Sequence, residues 1–218
     1  MKETKLKIRV TLTEEALGLT PANPAINEKY IASKAPDAPS KEEEVEALGI
    51  DDAIEETLTV FPRDHDGTPF FWDYQIKGAI KDSVGMLRRM AGSKSSKMQA
   101  YKKVIDGQIF VEPRRVRFSK VNGQIGRCQR SLRGQTAQGE RICLADSEAV
   151  PTGSQLEFTV VILGDKAPAK PKKGDEEPAE KYGPVESIVR EWLDYGTRRG
   201  LSQWRNSGKG TFTYEILS

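Results

Sequence analysis

The sequence predicts an α+β fold in which two helices cover one face of an antiparallel sheet, in the order β-α-β-β-α-β. Three observations carry this prediction. Residues 5–12 and 154–163 alternate between apolar and polar side chains, which is typical of strands with one buried face. Residues 73–90 and 184–199 each carry one apolar stripe at spacings of three and four, which predicts amphipathic helices. A last alternating segment, 211–217, closes the sheet.

The first strand is followed by a long insertion. Residues 13–56 contain four prolines between Pro21 and Pro39 and end in an acidic run, so we expect an inserted acidic and proline-rich arm. Residues 57–61 then form a short strand. One hypothesis is that the acidic part of the arm, 41–56, contacts the basic hairpin predicted over 112–144 in a neighbouring copy of the chain.

The middle of the sequence supplies the first helix and the second core strand. The helix is predicted over 73–90, with Asp73 as its N-cap. Residues 95–105 can form a second, short helix. Residues 108–118 are then predicted as a strand interrupted at Pro113, because proline cannot donate a hydrogen bond to a neighbouring strand.

The last third of the sequence completes the fold. Residues 112–144 predict a basic hairpin, and 164–183 predict a disordered loop because this segment is poor in apolar residues and rich in Pro, Lys and Glu. The second main helix begins at Pro184 and stops at Gly200. This element order is that of a ferredoxin-like or RRM-like fold, and we expect one domain over residues 1–218.

Charge is distributed unevenly along the sequence. The chain has 34 basic and 32 acidic residues, for a net charge of +2. Residues 1–60 hold 7 basic and 13 acidic side chains, so residues 61–218 hold the other 27 and 19, a balance of +8. The basic part of the chain therefore indicates a polyanionic partner.

Several classes of protein are disfavoured. The sequence has no apolar run long enough to span a membrane, and its start leads directly into a strand, so we expect a cytoplasmic protein without a membrane partner. Cys128 and Cys143 are too few for a disulfide framework. With one histidine and no CxxC motif, neither a metal site nor a cofactor is expected.

Two groups of residues outside the hairpin are candidates for contacts with a polyanion. Lys77, Lys81 and Arg88 lie at one edge of the first helix and follow four aromatic residues between 70 and 74, a combination that single-stranded nucleic acid favours. The glycine-rich segment 200–212 can approach a phosphate closely, although its glycines can equally be turn residues. Its candidate contact residues are Trp204, Arg205, Ser207 and Lys209.

The predicted hairpin is the third candidate. Eight basic side chains and only two acidic ones, Glu112 and Glu140, lie within 112–144. Seven of the eight are arginines, whose planar forks suit phosphate better than lysine does. The alternative is that the hairpin binds no ligand and that its arginines only keep the surface soluble. The residues predicted to contact nucleic acid here are Arg114, Arg115, Arg117, Arg127, Arg130 and Arg133.

Asp64, His65 and Asp66 form the one set that suggests catalysis. A carboxylate–imidazole–carboxylate group can cleave RNA by general base or metal chemistry. Three adjacent residues on a tight turn do not all converge on one point, however, so a polar turn is the stronger interpretation. No catalytic residue is therefore assigned.

Three segments resemble the RAMP superfamily of CRISPR-associated proteins. FWDYQIKGAIKDSVGMLRR is similar to the segment that opens its first helix, SEAVPTGSQLEFTVVIL to the entry into its third core strand, and RGLSQWRNSGKGTFTYEIL to its glycine-rich loop and closing strand. The chain most resembles the backbone subunit. The resemblance implies a non-enzymatic protein that repeats head to tail along a guide RNA, contacts its phosphates without base specificity, and assembles with other CRISPR effector subunits.

Other functions remain open at this point. The alternatives are a single-stranded DNA-binding or annealing protein of phage origin, a RAMP-type endoribonuclease, and a module that binds only protein. The RNA-binding hypothesis makes two demands of the fold. The arginine- and glycine-rich segments must form one continuous track, and their cations must be free of internal ion pairs.

Overall fold

A computed structural model describes five segments of the chain, without the side chains of 132–143: residues 3–22, 58–96, 98–136, 139–164 and 185–217. The predicted arm from residue 23 onward lies outside these segments. The same holds for the loop predicted over 164–183, apart from its first residue. Within the described segments, no helix is long and apolar enough to cross a membrane.

The main sheet contains β1 (Glu3–Leu12), β5 (Phe70–Trp72), β6 (Ile109–Glu112), β7 (Arg115–Lys120), β10 (Gln155–Leu163) and β11 (Phe212–Leu217). Its strand order is β11-β1-β10-β7-β5, with β6 also paired to β10. All these pairs are antiparallel. The helices between the core strands are α1 (Asp73–Leu87) and α3 (Glu186–Arg199). The predicted ferredoxin-like α+β fold is confirmed.

One face of the sheet carries the core. Each apolar residue of β1 is at most 5% exposed and belongs to one buried cluster with residues of β10, α1 and α3. Burying one such side chain contributes about 1.5–3 kcal/mol. The alternation that predicted β1 therefore also placed its inward residues correctly: Leu6, Ile8, Val10 and Leu12.

Helix α1 differs slightly from its predicted bounds. Trp72, not Asp73, is the N-cap, and the Gln75 side chain accepts a hydrogen bond from the Trp72 N–H at 2.9 Å. The helix ends at Leu87 instead of residue 90, and the hydroxyl of Ser93 donates to the Leu87 carbonyl at 2.7 Å, which satisfies one of the acceptors that the helix end leaves open. A short helix is present in this region, but α2 (Tyr101–Gln108) begins and ends later than the predicted 95–105.

A buried polar contact joins the α1–α2 connection to α3. The indole N–H of Trp192 donates to the hydroxyl of Ser95 at 2.7 Å, and both residues are at most 1% exposed. The Ser95 hydroxyl in turn donates to Glu191 at 3.0 Å. These two hydrogen bonds connect Trp192, the largest of the core side chains, to Glu191 through Ser95, and they satisfy the indole N–H, which is the only polar group of that side chain.

The second sheet contains β2 (Ala16–Leu17), β3 (Thr20–Pro21), β4 (Thr59–Val60), β8 (Gly126–Thr136) and β9 (Gly139–Val150). Strands β8 and β9 form a long antiparallel ribbon. As predicted, the second core strand is interrupted at Pro113, which divides it into β6 and β7. The arginines of 112–144 are consequently shared between the two sheets.

Candidate nucleic-acid interface

Arginines and aromatic rings interleave along the β5–β7 edge of the main sheet. Trp72 of β5 pairs with Arg115 of β7, and Phe70 pairs with Arg117. The Phe70 and Trp72 rings pack at right angles with centroids 4.9 Å apart, and the Tyr74 ring lies nearly parallel to Trp72 at 6.4 Å. We call this surface the arginine–aromatic ladder: Phe70, Trp72, Tyr74, Arg114, Arg115 and Arg117.

Two guanidinium groups of the ladder lie over its rings. The Arg114 guanidinium carbon is 5.5 Å from the Trp72 centroid and 5.8 Å from that of Tyr74. Arg115 is 5.6 Å from the Phe70 centroid and 5.8 Å from Trp72. Such cation–π contacts fix a guanidinium plane while leaving its N–H donors to bind other groups.

Carboxylates hold all three arginines of the ladder. Asp73 accepts from Arg114 at 2.7 Å. Asp64 contacts Arg115 at 3.0 Å and Arg117 at 3.3 Å, and Arg117 also pairs with Asp66. The hypothesis drawn from the sequence required these cations to be free of internal ion pairs. In the structure, all three arginines of the ladder are paired within the chain.

The turn from Asp64 to Thr68 positions these carboxylates. Asp64 accepts the backbone N–H of His65 at 2.9 Å, and Asp66 accepts that of Thr68 at 3.1 Å. These backbone hydrogen bonds, with the arginines as further causes, lower the pKa of both aspartates. A lowered pKa makes a carboxylate a weaker base, so the geometry favours arginine positioning over general-base catalysis. The described residues contain no cluster suited to a metal ion.

The cations at the edge of α1 divide into two groups. Lys77 donates to the Asp106 carbonyl at 3.0 Å, and Lys81 pairs with the Asp106 carboxylate. Arg88 instead lies over the Tyr101 ring at 5.0 Å. The structure therefore brings Lys77 and Lys81 together and leaves Arg88 with a different neighbour.

The glycine-rich segment forms a closed loop between α3 and β11. Gly200 and Gly210 have φ values of 85° and 71°, and the Leu201 N–H donates to the Gly210 carbonyl at 3.0 Å. A Cβ on Gly210 would lie 2.7 Å from the Ser202 hydroxyl oxygen. Both glycines are thus required by loop closure itself, which is the turn interpretation left open by the sequence.

The charged residues of this loop are paired as well. Arg205 lies 3.3 Å from Asp82 of α1, and Lys209 pairs with Glu15 at 2.7 Å. Ser207 is exposed at the end of a 3₁₀ turn, Arg205–Ser207. The loop is accordingly fastened to α1 and to the end of β1.

Trp204 and Arg130 join the loop to the β8–β9 ribbon. Arg130 is only 9% exposed, its guanidinium carbon lies 4.9 Å from the Trp204 centroid, and it donates to the Ser147 hydroxyl at 3.0 Å. Trp204 has a φ of 56°, which is uncommon for a bulky residue and costs about 1–3 kcal/mol. Arg130 thus has a buried role in packing, where the sequence predicted a phosphate contact.

The ribbon separates the ladder from the loop. By alternation, Arg130 and Ser147 lie on one face of the ribbon, and Asp146 and Glu148 lie on the other. The loop contacts the first face through Gln203, which donates to Ser147 at 2.8 Å, while Arg63, next to Asp64, pairs with Glu148 on the second. The glycine-rich loop and the turn that holds the ladder therefore contact opposite faces of one ribbon, and these two predicted segments do not line one track.

The remaining hairpin arginines differ in what the structure describes. Arg127 pairs with Asp146 at 2.9 Å, and the Asp146 side chain is fully buried. The side chain of Arg133 lies outside the described residues.

Sequence reasoning missed the acidic partners. Asp64 and Arg115 are 51 positions apart in the chain, and Asp82 and Arg199 are 117 apart. No local pattern signals such pairs. The near-equality of 34 basic and 32 acidic residues was the available sign that most cations would be paired.

Comparison with known proteins finds similarity in structure but none in sequence. No protein-family model matches the chain, and no curated protein matches it in sequence. Among solved structures, the chain is similar to a chain of the Type III-B Cmr-beta complex bound to cognate target RNA, with 10% identity and a TM-score of 0.47. The match covers 100% of this chain and 61% of that chain, so this chain spans about three fifths of its neighbour's length.

Proposed function

We propose that this chain binds single-stranded RNA along the arginine–aromatic ladder. The observation that carries the proposal is the stacking of Arg114 and Arg115 on a row of three aromatic rings. The arginine side chains of the ladder are 45–68% exposed, so a phosphate can reach their N–H groups. Tyr74 is 55% exposed and Trp72 is partly exposed, so these two rings can stack with bases beside the guanidinium groups, while Phe70 is 2% exposed and supports Arg115 from within the fold.

The structure meets neither demand of the single-track hypothesis, so the proposal is confined to the ladder, where RNA must compete with the internal ion pairs. The arginine of each pair is exposed, whereas Asp64 and Asp73 are only 15% and 23% exposed, so a phosphate approaches each guanidinium from the solvent side and competes there with the carboxylate. Before RNA binds, the carboxylates hold the guanidinium groups in place along the β5–β7 edge of the main sheet. Binding proceeds by exchange of partners and is therefore moderate in strength and sensitive to salt.

The finer proposal is a backbone-type subunit that repeats head to tail on a guide RNA with other CRISPR effector subunits, in the cytoplasm of a prokaryotic or phage-infected cell. Its support is the position of the three resembling segments. Residues 76–79 lie in α1, residues 148–154 lead into β10, and the glycine-rich loop precedes β11. Each lies at the place that the superfamily resemblance implies. Mass measurement on RNAs of increasing length tests it: the number of bound copies rises with length.

Salt dependence tests the RNA interface. We expect fluorescence anisotropy with a labelled RNA oligomer to show binding whose log affinity falls with log salt. Arg115→Gln reduces the magnitude of that slope by about 0.7, the value for one phosphate contact on a single strand. Arg190→Gln is the matched control, since Arg190 is an exposed arginine paired with Glu186 on α3.

Two results would oppose the proposal. One is the absence of RNA binding by the intact chain; the other is an equal loss in the Arg115 and Arg190 variants. Competition between RNA and DNA oligomers of the same sequence then decides the nucleic acid, because stacking on aromatic rings accepts bases of either kind.

A further inference from the structure

A groove of about 310 Å³ opens between α1, the end of α2 and β6, and we call it the α1–β6 groove. Tyr74 and Phe110 line it and are 55% and 41% exposed. They are two of only four large apolar side chains that are exposed in the described segments. Two exposed rings on one concave surface indicate a binding site for a flat, partly apolar group.

Cations lie beside these rings. The Lys77 ammonium is 4.8 Å from the Phe110 centroid, and Lys81, which pairs with Asp106, also lines the groove. With Arg114, the lining holds three cations against the two carboxylates of Asp73 and Asp106, so the balance of charge favours an anion. Burial is the main cause that lowers the pKa of Lys77, and the nearby Asp106 carboxylate opposes it. A partly desolvated ammonium gains from an anionic ligand that replaces the lost water.

Arg114 connects the groove to the arginine–aromatic ladder. It lines the groove, and its guanidinium lies over both Trp72 and Tyr74. A strand bound along the ladder therefore reaches the groove without crossing another surface. At about 310 Å³, the groove is near the lower limit of ligand pockets, which span about 300–1,000 Å³, so it accommodates one small ligand unit.

We propose that the α1–β6 groove holds one nucleotide of the bound RNA, with its base against Tyr74 and Phe110 and its phosphate on Lys77 and Lys81. The inference rests on the proposed function and adds to it a defined nucleotide site at one end of the ladder. An acidic peptide fits less well, because its carboxylates would engage the lysines and leave both rings exposed. The two exposed rings are therefore what favours a nucleotide over an acidic peptide, because the lysines alone would attract either.

Gly78 provides a direct test, since it lines the groove on α1 and a Cβ built there meets no atom within 4 Å. Gly78→Gln therefore adds a side chain at the lining of the groove, and its Cβ has open space around it. Gly107→Gln is the matched control: Gly107 is also helical, also has open space around it, and is not a lining residue. Replacing a glycine inside a helix favours folding, and thermal melting of both variants verifies it.

The assay uses the full chain and an RNA oligomer containing photoreactive 4-thiouridine. We expect Gly78→Gln to weaken RNA affinity about fivefold or more, as expected for the loss of one stacked base, and to abolish cross-links to Tyr74 or Phe110. Gly107→Gln retains both. Unchanged affinity and cross-linking in Gly78→Gln would overturn the groove assignment while leaving the ladder intact, provided that Arg115→Gln still weakens binding.

Two other outcomes have distinct meanings. If the intact chain binds no RNA, the proposed function and the nucleotide site fail together. If a glutamate-rich peptide displaces the RNA from the groove as effectively as unlabelled RNA does, the groove is a peptide site and the nucleotide assignment is wrong.

Discussion

Replacing Asp64 with asparagine separates the two roles that an internal carboxylate can have in an RNA interface. Asp64 contacts Arg115 and Arg117, so it competes with phosphate for two guanidinium groups. Asparagine retains the side-chain oxygen that accepts the His65 N–H, and the turn is preserved. Asp64→Asn therefore removes the charge with little change in geometry.

The expected gain follows from Coulomb's law. With a guanidinium between them, a bound phosphate and the Asp64 carboxylate lie about 6 Å apart, and in water their repulsion corresponds to about a threefold factor in affinity. Screening at about 0.15 M salt reduces it to about twofold. Asp64→Asn should consequently raise RNA affinity about two- to threefold, with the larger gain at low salt.

Anisotropy titrations at two salt concentrations measure this gain against Glu186→Gln. That control removes one negative charge from an exposed ion pair with Arg190 on α3 and leaves the ladder unchanged. In the background of Arg115→Gln and Arg117→Gln, the gain from Asp64→Asn should vanish, because no guanidinium then holds a phosphate close to Asp64. Weaker binding by Asp64→Asn would refute the reasoning and show that the carboxylate is needed to orient the arginines.

Two further predictions concern the scaffold. Ser95→Ala should lower the free energy of unfolding by about 1–3 kcal/mol, because it leaves the buried Trp192 N–H without its acceptor. The control is Ser96→Ala, at a partly exposed site, which should lower it by less. Urea unfolding of the two variants measures the difference. Burial and the hydrogen bond to Asp194 raise the pKa of Tyr214 to about 12. The stability that the neutral Tyr214 hydroxyl contributes should be complete below the ordinary tyrosine pKa of about 10 and lost as the pH rises through about 12. The difference between the ultraviolet titration curves of the intact chain and of Tyr214→Phe should show this shifted midpoint.

The sheet and its helices could be predicted because their signals are local. In β1, each inward residue is separated from the next by one outward residue, and that period alone identifies the buried face. Helix α3 likewise carries its buried residues at helical spacing, including Ile188, Val189 and Trp192. The interruption at Pro113 could also be predicted, because proline has no N–H to donate to a neighbouring strand in any sheet.

The site was less predictable because pairing across the fold is not local. Arg114, Arg115 and Arg117, which the sequence predicted as nucleic-acid contacts, are exposed, but their acidic partners depend on the turn that precedes β5 and on the start of α1. Arg130 looked like its exposed neighbours, yet its register in the β8–β9 ribbon places it beneath Trp204. A one-residue change in register reverses the face of a side chain, and arginine spacing alone does not specify that register.

The balance of charge in the ladder bears on which ligand it selects. Three arginines face three carboxylates, so one free phosphate gains little by displacing a carboxylate that already satisfies the same donors. A polymer makes several such exchanges at once, and each adjacent base adds a stacking contact. The ladder should therefore discriminate strongly between an RNA strand and inorganic phosphate. A fully unpaired basic surface would attract both.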